Sequence, residues 1–345
     1  MTPARNDLPT LQPAHAKGRA SLHLAASMLI AVGLLAGCST TPSSSVKPSR
    51  KALVGSPGQA NSNVSLSSSG SSRKNPASYQ FFGQAGWRLV FAGGFSAPGS
   101  STVEKSKWKF DLGPGRRFGT GEIETATDST SNVYLNGQGT LVIRASRNSL
   151  GQWTSGRIQT RERFSAPPGG ELLVTARIKQ PDPKDGLGYW PAFWLLGKGH
   201  WPEHGEIDIM EDVNALDSAS HTLHCGVDPG GPCHEPNGIT SKLQPVPGSQ
   251  TSFLRYSVVI DRRVSGHAEI EWFIGSRKVF QVEETQVPRP VWQEAVDGSF
   301  TVILDLAMGG SYPDGVAHER TPTPETTSGS RLEVRKLRVF VLPAN

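Results

Sequence analysis

The chain has 345 residues, with 38 Gly, 26 Pro, only 19% charged residues and a formal net charge of +5. That length holds one large all-β domain or two ordinary ones, and so turn-rich a composition argues for short strands rather than helices. The positive charge is scattered and no nucleic-acid motif accompanies it, which excludes nucleic acid as an expected partner.

At the N-terminus Lys17 and Arg19 precede an apolar stretch from Leu22 to Leu35, which has the form of an export signal and is short for a membrane span. It ends in Leu35-Ala36-Gly37-Cys38, which resembles the lipobox of bacterial lipoproteins. The resemblance implies a lipoprotein-type signal peptide over residues 1–38 with cleavage just before Cys38, lipidation of Cys38 as the first mature residue and attachment to the cell envelope. The outer membrane is implied in a Gram-negative cell, and a secreted protein if Cys38 stays unlipidated. Residues 39–78 are dominated by Ser with Pro, Gly and Asn and lack the large apolar residues a core needs. They read as a tether with a mean reach of roughly 35 Å.

A single catalytic-sized domain is expected over 79–345. Its short apolar runs, broken by turn residues, predict strands at Trp87–Phe91, Gly139–Arg144, Arg157–Arg161, Glu171–Lys179, Ala192–Leu196, Glu206–Glu211 and Ser220–Cys225. Four more follow at Leu254–Asp261, Ala268–Ile274, Phe300–Leu306 and Leu332–Val341. Alternation is clean in places: Val174, Ala176 and Ile178 share one face, with Thr175, Arg177 and Lys179 opposite. Many short strands at turn-separated intervals predict a sandwich or a barrel, and periodicity does not choose between them.

One stretch breaks the pattern. Four carboxylates, Glu206, Asp208, Glu211 and Asp212, fall within seven residues, and no Lys or Arg lies between Trp201 and Ser220. Crowded like charges raise one another's pKa, so a protonated carboxyl can sit beside an ionised one, as acid/nucleophile chemistry requires. In a regular strand Glu206 and Asp208 share a face, while Glu211, at an odd offset, points to the other. One extra residue around Ile209-Met210, a β-bulge, restores parity and brings Glu211 to the carboxylate face, with Ile207 and one of Ile209 or Met210 buried behind. A helix would set Glu206 and Glu211 about 140° apart, too far for joint chemistry.

Trp190-Pro191-Ala192-Phe193-Trp194-Leu195-Leu196-Gly197, then Trp201-Pro202-x-x-Gly205-Glu206-Ile207-Asp208-Ile209-Met210-Glu211, resembles glycoside hydrolase family 16 in its laminarinase-like branch. Supporting segments are Ser131-Asn132-Val133, Gly137 to Ile143, Thr154 to Ile158, and Val302 to Pro313, so the resemblance spans about residues 85–343. It implies a concanavalin-like β-jelly-roll sandwich of two antiparallel sheets, the concave one forming a sugar cleft. Two carboxyls on one bulged strand are expected on the order of 5–6 Å apart, the retaining geometry. Glu206 is then the nucleophile, Glu211 the general acid and base, and Asp208 lies between them, hydrogen-bonded to Glu206. The expected substrate is a β-1,3 or mixed β-1,3/1,4 glucan, with galactan hydrolysis, transglycosylation or glycan binding without cleavage as alternatives.

Trp190 and Trp194 share strand parity, and by the resemblance Trp190 and Trp201 are the sugar platforms, with Trp194 either platform or core. The resemblance also assigns Arg157 and Asn132 to sugar hydroxyls and His224 to a place beside the cleaved bond. Trp87, Trp108, Trp272 and Trp292 are expected in the core or at edges, and His221 and His234 in loops or at the surface. Cys225 and Cys233, with three His nearby, fit either zinc or a disulfide, and export favours the disulfide. No metal or other cofactor is expected. Relatives often hold calcium with an acidic pair where this chain has Ala92-Gly93-Gly94-Phe95, which leaves a structural calcium doubtful. Asp305 stands where Asn is common, and the protein is expected to act as a monomer.

Overall fold

The computed structural model describes residues 78–96 and 101–344. The expected signal segment, Cys38 and the tether up to residue 77 lie outside the described residues. Two antiparallel sheets pack face to face as a jelly roll. The first runs Ser78–Phe81, Gln84–Ala92, Arg331–Leu342, Glu171–Lys179, Leu254–Asp261, Glu269–Ile274 and Arg277–Glu283, with Thr140–Arg144 joined to the Arg331–Leu342 strand and Val133–Leu135 paired in turn to Thr140–Arg144. The second runs Ile239–Thr240, Ser218–His224, Glu206–Glu211, Tyr189–Leu196, Thr301–Met308, Arg157–Thr160 and Trp108–Phe110.

The inner faces of both sheets build the main core. Val174, Ala176 and Ile178 of one meet Ile207, Phe193, Leu195, Val302 and Leu304 of the other, all buried. Each such aliphatic side chain, fully buried, contributes about 1.5–3 kcal/mol. Alternation along Glu171–Lys179 has its predicted sense, with Arg177 exposed. Its far end is covered on both faces, because Leu173 joins Trp87, Val259, Phe273 and Phe340 in a second cluster beneath Tyr79 and Phe81. Trp87, Trp108, Trp272 and Trp292 are all buried, in keeping with their expected core roles.

All eleven predicted strands form, three of them with the predicted bounds. The edge strand Arg277–Glu283 and the helix Arg289–Val296 were not anticipated. The strand is mostly half-exposed and so lacks a strong apolar pattern. The helix is short, with Pro inside its first turn and Trp292, Ala295 and Val296 on its buried face. It matters to the cleft, because Gly205 has a φ of +81° and a Cβ there would collide with the Ala295 carbonyl. Glycine is therefore required where the chain turns into the carboxylate strand.

Candidate active site

The strand Glu206–Glu211 carries the predicted bulge. Against Tyr189–Leu196, Glu211 pairs with Ala192 and Met210 with Phe193, but Asp208 pairs with Trp194, leaving Ile209 as the extra residue. The same slip occurs on the other side, where Asp208 faces Thr222 and Glu211 faces Ser220. Glu206, Asp208 and Glu211 consequently all line the cleft. Ile207, Ile209 and Met210 are all buried, so the bulge turns two consecutive side chains inward where one was expected.

A bulge exposes carbonyls that the ladder no longer satisfies. Here they find buried donors. His221 Nδ1 donates to the Ile209 carbonyl at 2.9 Å and Trp272 Nε1 donates to the Asp208 carbonyl at 2.8 Å. His221 was expected in a loop or at the surface. It instead sits buried in the strand Ser218–His224, and burial lowers its pKa to about 4, so it serves as a neutral donor. Asp212, the fourth carboxylate of the run, does not line the cleft and accepts from the Ser218 hydroxyl.

Glu211 accepts a hydrogen bond from Trp190 Nε1 at 2.9 Å, and Trp190 packs edge-on against Tyr312. Burial, then the charge of Asp208, holds the Glu211 carboxyl well above the ordinary carboxylate range. Burial and Asp208 also push Glu206 up, to about 8, against the opposing pull of His224 and Arg157. The expected Asp208–Glu206 hydrogen bond is not formed. Asp208 Oδ2 is buried without a hydrogen bond and faces His224 Nε2 at 3.3 Å, because the bulged strand aims both groups at the same imidazole. His224 Nε2 is also 3.9 Å from Glu206, and its Nδ1 is 2.7 Å from Glu235. Burial alone would lower the His224 pKa, but the contacts with Asp208 and Glu235 and the charge of Glu206 carry it well above its ordinary value.

Glu206, Asp208, Glu211 and Trp190 line a cleft of about 630 Å³. Trp201 is 40% exposed and leans over His224 with ring centroids 5.6 Å apart. Toward the other end, the Arg157 guanidinium lies between the rings of Phe118 and Trp194, 4.0 and 4.7 Å from their centroids. Trp194 is nearly buried beneath it and donates from Nε1 to Asp305 at 2.7 Å. Asp305 does line the cleft, and burial raises its pKa to about 6 against the nearby Arg157. Asn132 is placed elsewhere. It is buried outside the cleft lining, and its amide holds the Arg144 and Thr154 carbonyls and the Thr127 hydroxyl. With both amide hydrogens spent on the protein's own carbonyls, it keeps no donor for a sugar hydroxyl.

Glu206, Asp208 and His224 bring one ligand-type atom each within 4.8 Å of one another. His224 Nδ1 faces Glu235 and Nε2 faces the other two members of the trio, so the ring bridges carboxylates on both sides. Cys225 and Cys233 form a disulfide with Cα atoms 5.4 Å apart, which removes the zinc alternative for that pair.

A model of XgeA-like catalytic domains of glycoside hydrolase family 16 matches residues 122–244. The solved endo-1,3-β-glucanase from Streptomyces sioyaensis is 38% identical, with a TM-score of 0.70 over 79% of this chain and 99% of that one. The endo-β-1,3-glucanase from Pyrococcus furiosus is 30% identical, with a TM-score of 0.60 over 79% of this chain and all of its own. This chain belongs to glycoside hydrolase family 16. Glucan endo-1,3-β-glucosidase A1 of Niallia circulans is 29% identical over 292 residues, and the match spans 38% of that larger protein.

Within this family 16 domain, sequence reasoning missed four residues of the site: Phe118, Glu235, Trp272 and Tyr312. Glu235 directly follows Cys233-His234, and that closeness to a predicted disulfide was the available signal. Phe118, Trp272 and Tyr312 come from distant segments with no local pattern to mark them.

Proposed function

We propose that this glycoside hydrolase is a retaining, endo-acting β-glucanase that cuts β-1,3 bonds, alone or in mixed β-1,3/1,4 chains. The observation that carries the reading is the bulge, which puts Glu206 and Glu211 on the same cleft-facing side of one strand. In the first step a Glu206 carboxylate oxygen attacks the anomeric carbon as the glycosidic C–O bond breaks. Glu211 gives its proton to the departing oxygen, and a covalent glycosyl ester remains on Glu206. Water then attacks the same carbon, its proton passes to Glu211, and Glu206 leaves as the carboxylate. Two inversions return the original configuration.

The different environments of the two carboxyls support these roles. Glu211 is held protonated by burial and by Asp208, with Trp190 fixing its direction. Glu206 is raised by the same burial and by Asp208, but the imidazolium of His224 and the guanidinium of Arg157 pull it back toward its ionised form. Trp190 and Trp201 offer flat apolar faces to sugar rings, and the stacked Arg157 presents donors to hydroxyls. The 1,3-glucan preference follows the relatives named above. Incubating residues 78–345 with laminarin, lichenan, agarose and galactan tests it. Internal cleavage of laminarin into oligosaccharides is expected. Cleavage of galactan alone, or glucan binding without products, would overturn it.

The N-terminal reading extends the proposal. Lipidation of Cys38 would hold this domain beside an envelope surface where polysaccharide arrives. Labelling cells with an alkyne palmitate should mark the full chain and spare Cys38→Ser; equal labelling of both would remove the anchor.

A further inference from the structure

Glu235 is a fully buried carboxylate that the cleavage scheme leaves without a part. Its side chain is 0% exposed, and both oxygens are engaged: Oε2 with His224 Nδ1 at 2.7 Å, and Oε1 accepting from the Cys225 backbone N–H at 2.8 Å. Its backbone exchanges hydrogen bonds with Gly230 in both directions, and the Cys225–Cys233 bridge closes the loop between them. Across the ring, His224 Nε2 meets Asp208 at 3.3 Å and Glu206 at 3.9 Å. Gly238 passes so near that a Cβ there would lie 3.0 Å from Nδ1 and crowd the Glu235 contact.

We propose that Glu235 is a positioning residue for glycoside cleavage, locking His224 so that its Nε2–H faces the Asp208–Glu206 pair, with the disulfide loop as its mount. The inference rests on the retaining reading given above. A carboxylate acceptor at Nδ1 requires a proton there, and the charges of the two carboxylates facing Nε2 favour a second, so the ring stands as a cation between them. The charged groups facing it are Glu206 and Asp208 from the carboxylate strand and Glu235 from the loop; Glu211 acts from farther off, and Trp201 covers the ring face. A cation at that distance from Glu206 favours the carboxylate form that attacks the sugar. Disulfide, Glu235, His224 and Glu206 thus form one supported line from the loop to the anomeric carbon.

The deciding variant is Glu235→Gln. Its amide oxygen can still accept from Cys225, preserving the mount, but its amide nitrogen now donates toward Nδ1, which must give up its proton. Two readouts are taken on the purified protein. Nitrogen-15 NMR of labelled histidine should show the His224 pKa falling by about 1–3 units, the usual effect of losing a contacting opposite charge. The acid limb of kcat/KM on laminarin should move to higher pH by about one unit or more, with KM little changed, because Glu206 loses its cation. A support of the fold alone would lower activity evenly across pH and leave the limb in place. An unchanged His224 titration overturns the proposal whatever the substrate. A fallen titration in a protein that cuts no glucan leaves the positioning intact and removes the retaining-glucanase reading instead.

Discussion

Two of the bulged strands of this jelly roll are built in opposite ways. In Arg331–Leu342 the register slips opposite Ala176, and the extra residue, Lys336, sits at φ +51° with its side chain in solvent. Parity switches there too: Leu332 and Val334 face the core before the slip, Leu337 and Val339 after it. In Glu206–Glu211 the extra residue Ile209 is buried, and buried side chains hold the loosened carbonyls, His221 on Ile209 and Trp272 on Asp208. A bulge open to water satisfies itself by solvation. A bulge that must aim carboxylates into a cleft needs donors brought from other strands, and those donors fix its geometry.

The largest expected effect falls on the carboxylate bulge itself. Glu211→Gln should lower kcat by about 100- to 10,000-fold, the span of general acid–base assistance, and Glu206→Gln should abolish measurable turnover. Both variants should unfold no more readily than the parent in urea. Laminarin hydrolysis near the parent rate in either would remove that residue's role. Next come the donors. His221→Phe or Trp272→Phe leaves a buried carbonyl unsatisfied, a cost of about 1–3 kcal/mol in urea unfolding, and kcat should fall with it as Glu211 loses its aim. Stability lost with kcat unchanged would show that the bulge holds without these donors.

A third expectation concerns pH. Glu206 and Glu124 titrate near 8 and Glu171 and Asp212 near 7 in the folded protein, each raised chiefly by burial. The unfolded chain releases these protons near the ordinary carboxylate range, so between those values the folded state binds more protons. Stability therefore falls as pH rises from about 5 to 8. Glu206→Gln should flatten part of that slope, as read from the unfolding midpoint at each pH. A parent protein whose midpoint climbs through this window would contradict the assignment. The smallest effect belongs to the solvent-facing bulge. Lys336→Gly relieves a left-handed residue at some entropic cost and should change stability by no more than about 1 kcal/mol. Its glucan hydrolysis should match the parent; a clear loss would mean the two bulges are not independent.

What the sequence disclosed follows from range. The strand pattern, the need for a bulge before Glu211, the cleft-facing tryptophans and the Cys225–Cys233 bridge all depend on neighbours in the chain, and parity or proximity reveals them. The donors that grip the bulge do not. Trp272 reaches Asp208 across 64 residues, and His221 was mistaken for a loop residue because its partner carbonyl exists only once the bulge has formed. Asn132 failed in the opposite sense, since a hydrogen-bonding side chain suggested a sugar ligand where the fold uses it to tie the Arg144 and Thr154 backbones together. The absent Asp208–Glu206 bond has the same origin. Spacing put the two carboxylates side by side, but it could not place His224, which sits between them and Glu235.

The most direct test of the central claim is to trap the intermediate. The Glu211→Gln variant, incubated with an activated 2-deoxy-2-fluoro-β-laminaribiosyl donor, should accumulate a glycosyl-enzyme, and peptide mass mapping should place the sugar on Glu206. A label on another residue, or a donor consumed to the opposite anomer with no adduct, would contradict the retaining role assigned to the bulged strand.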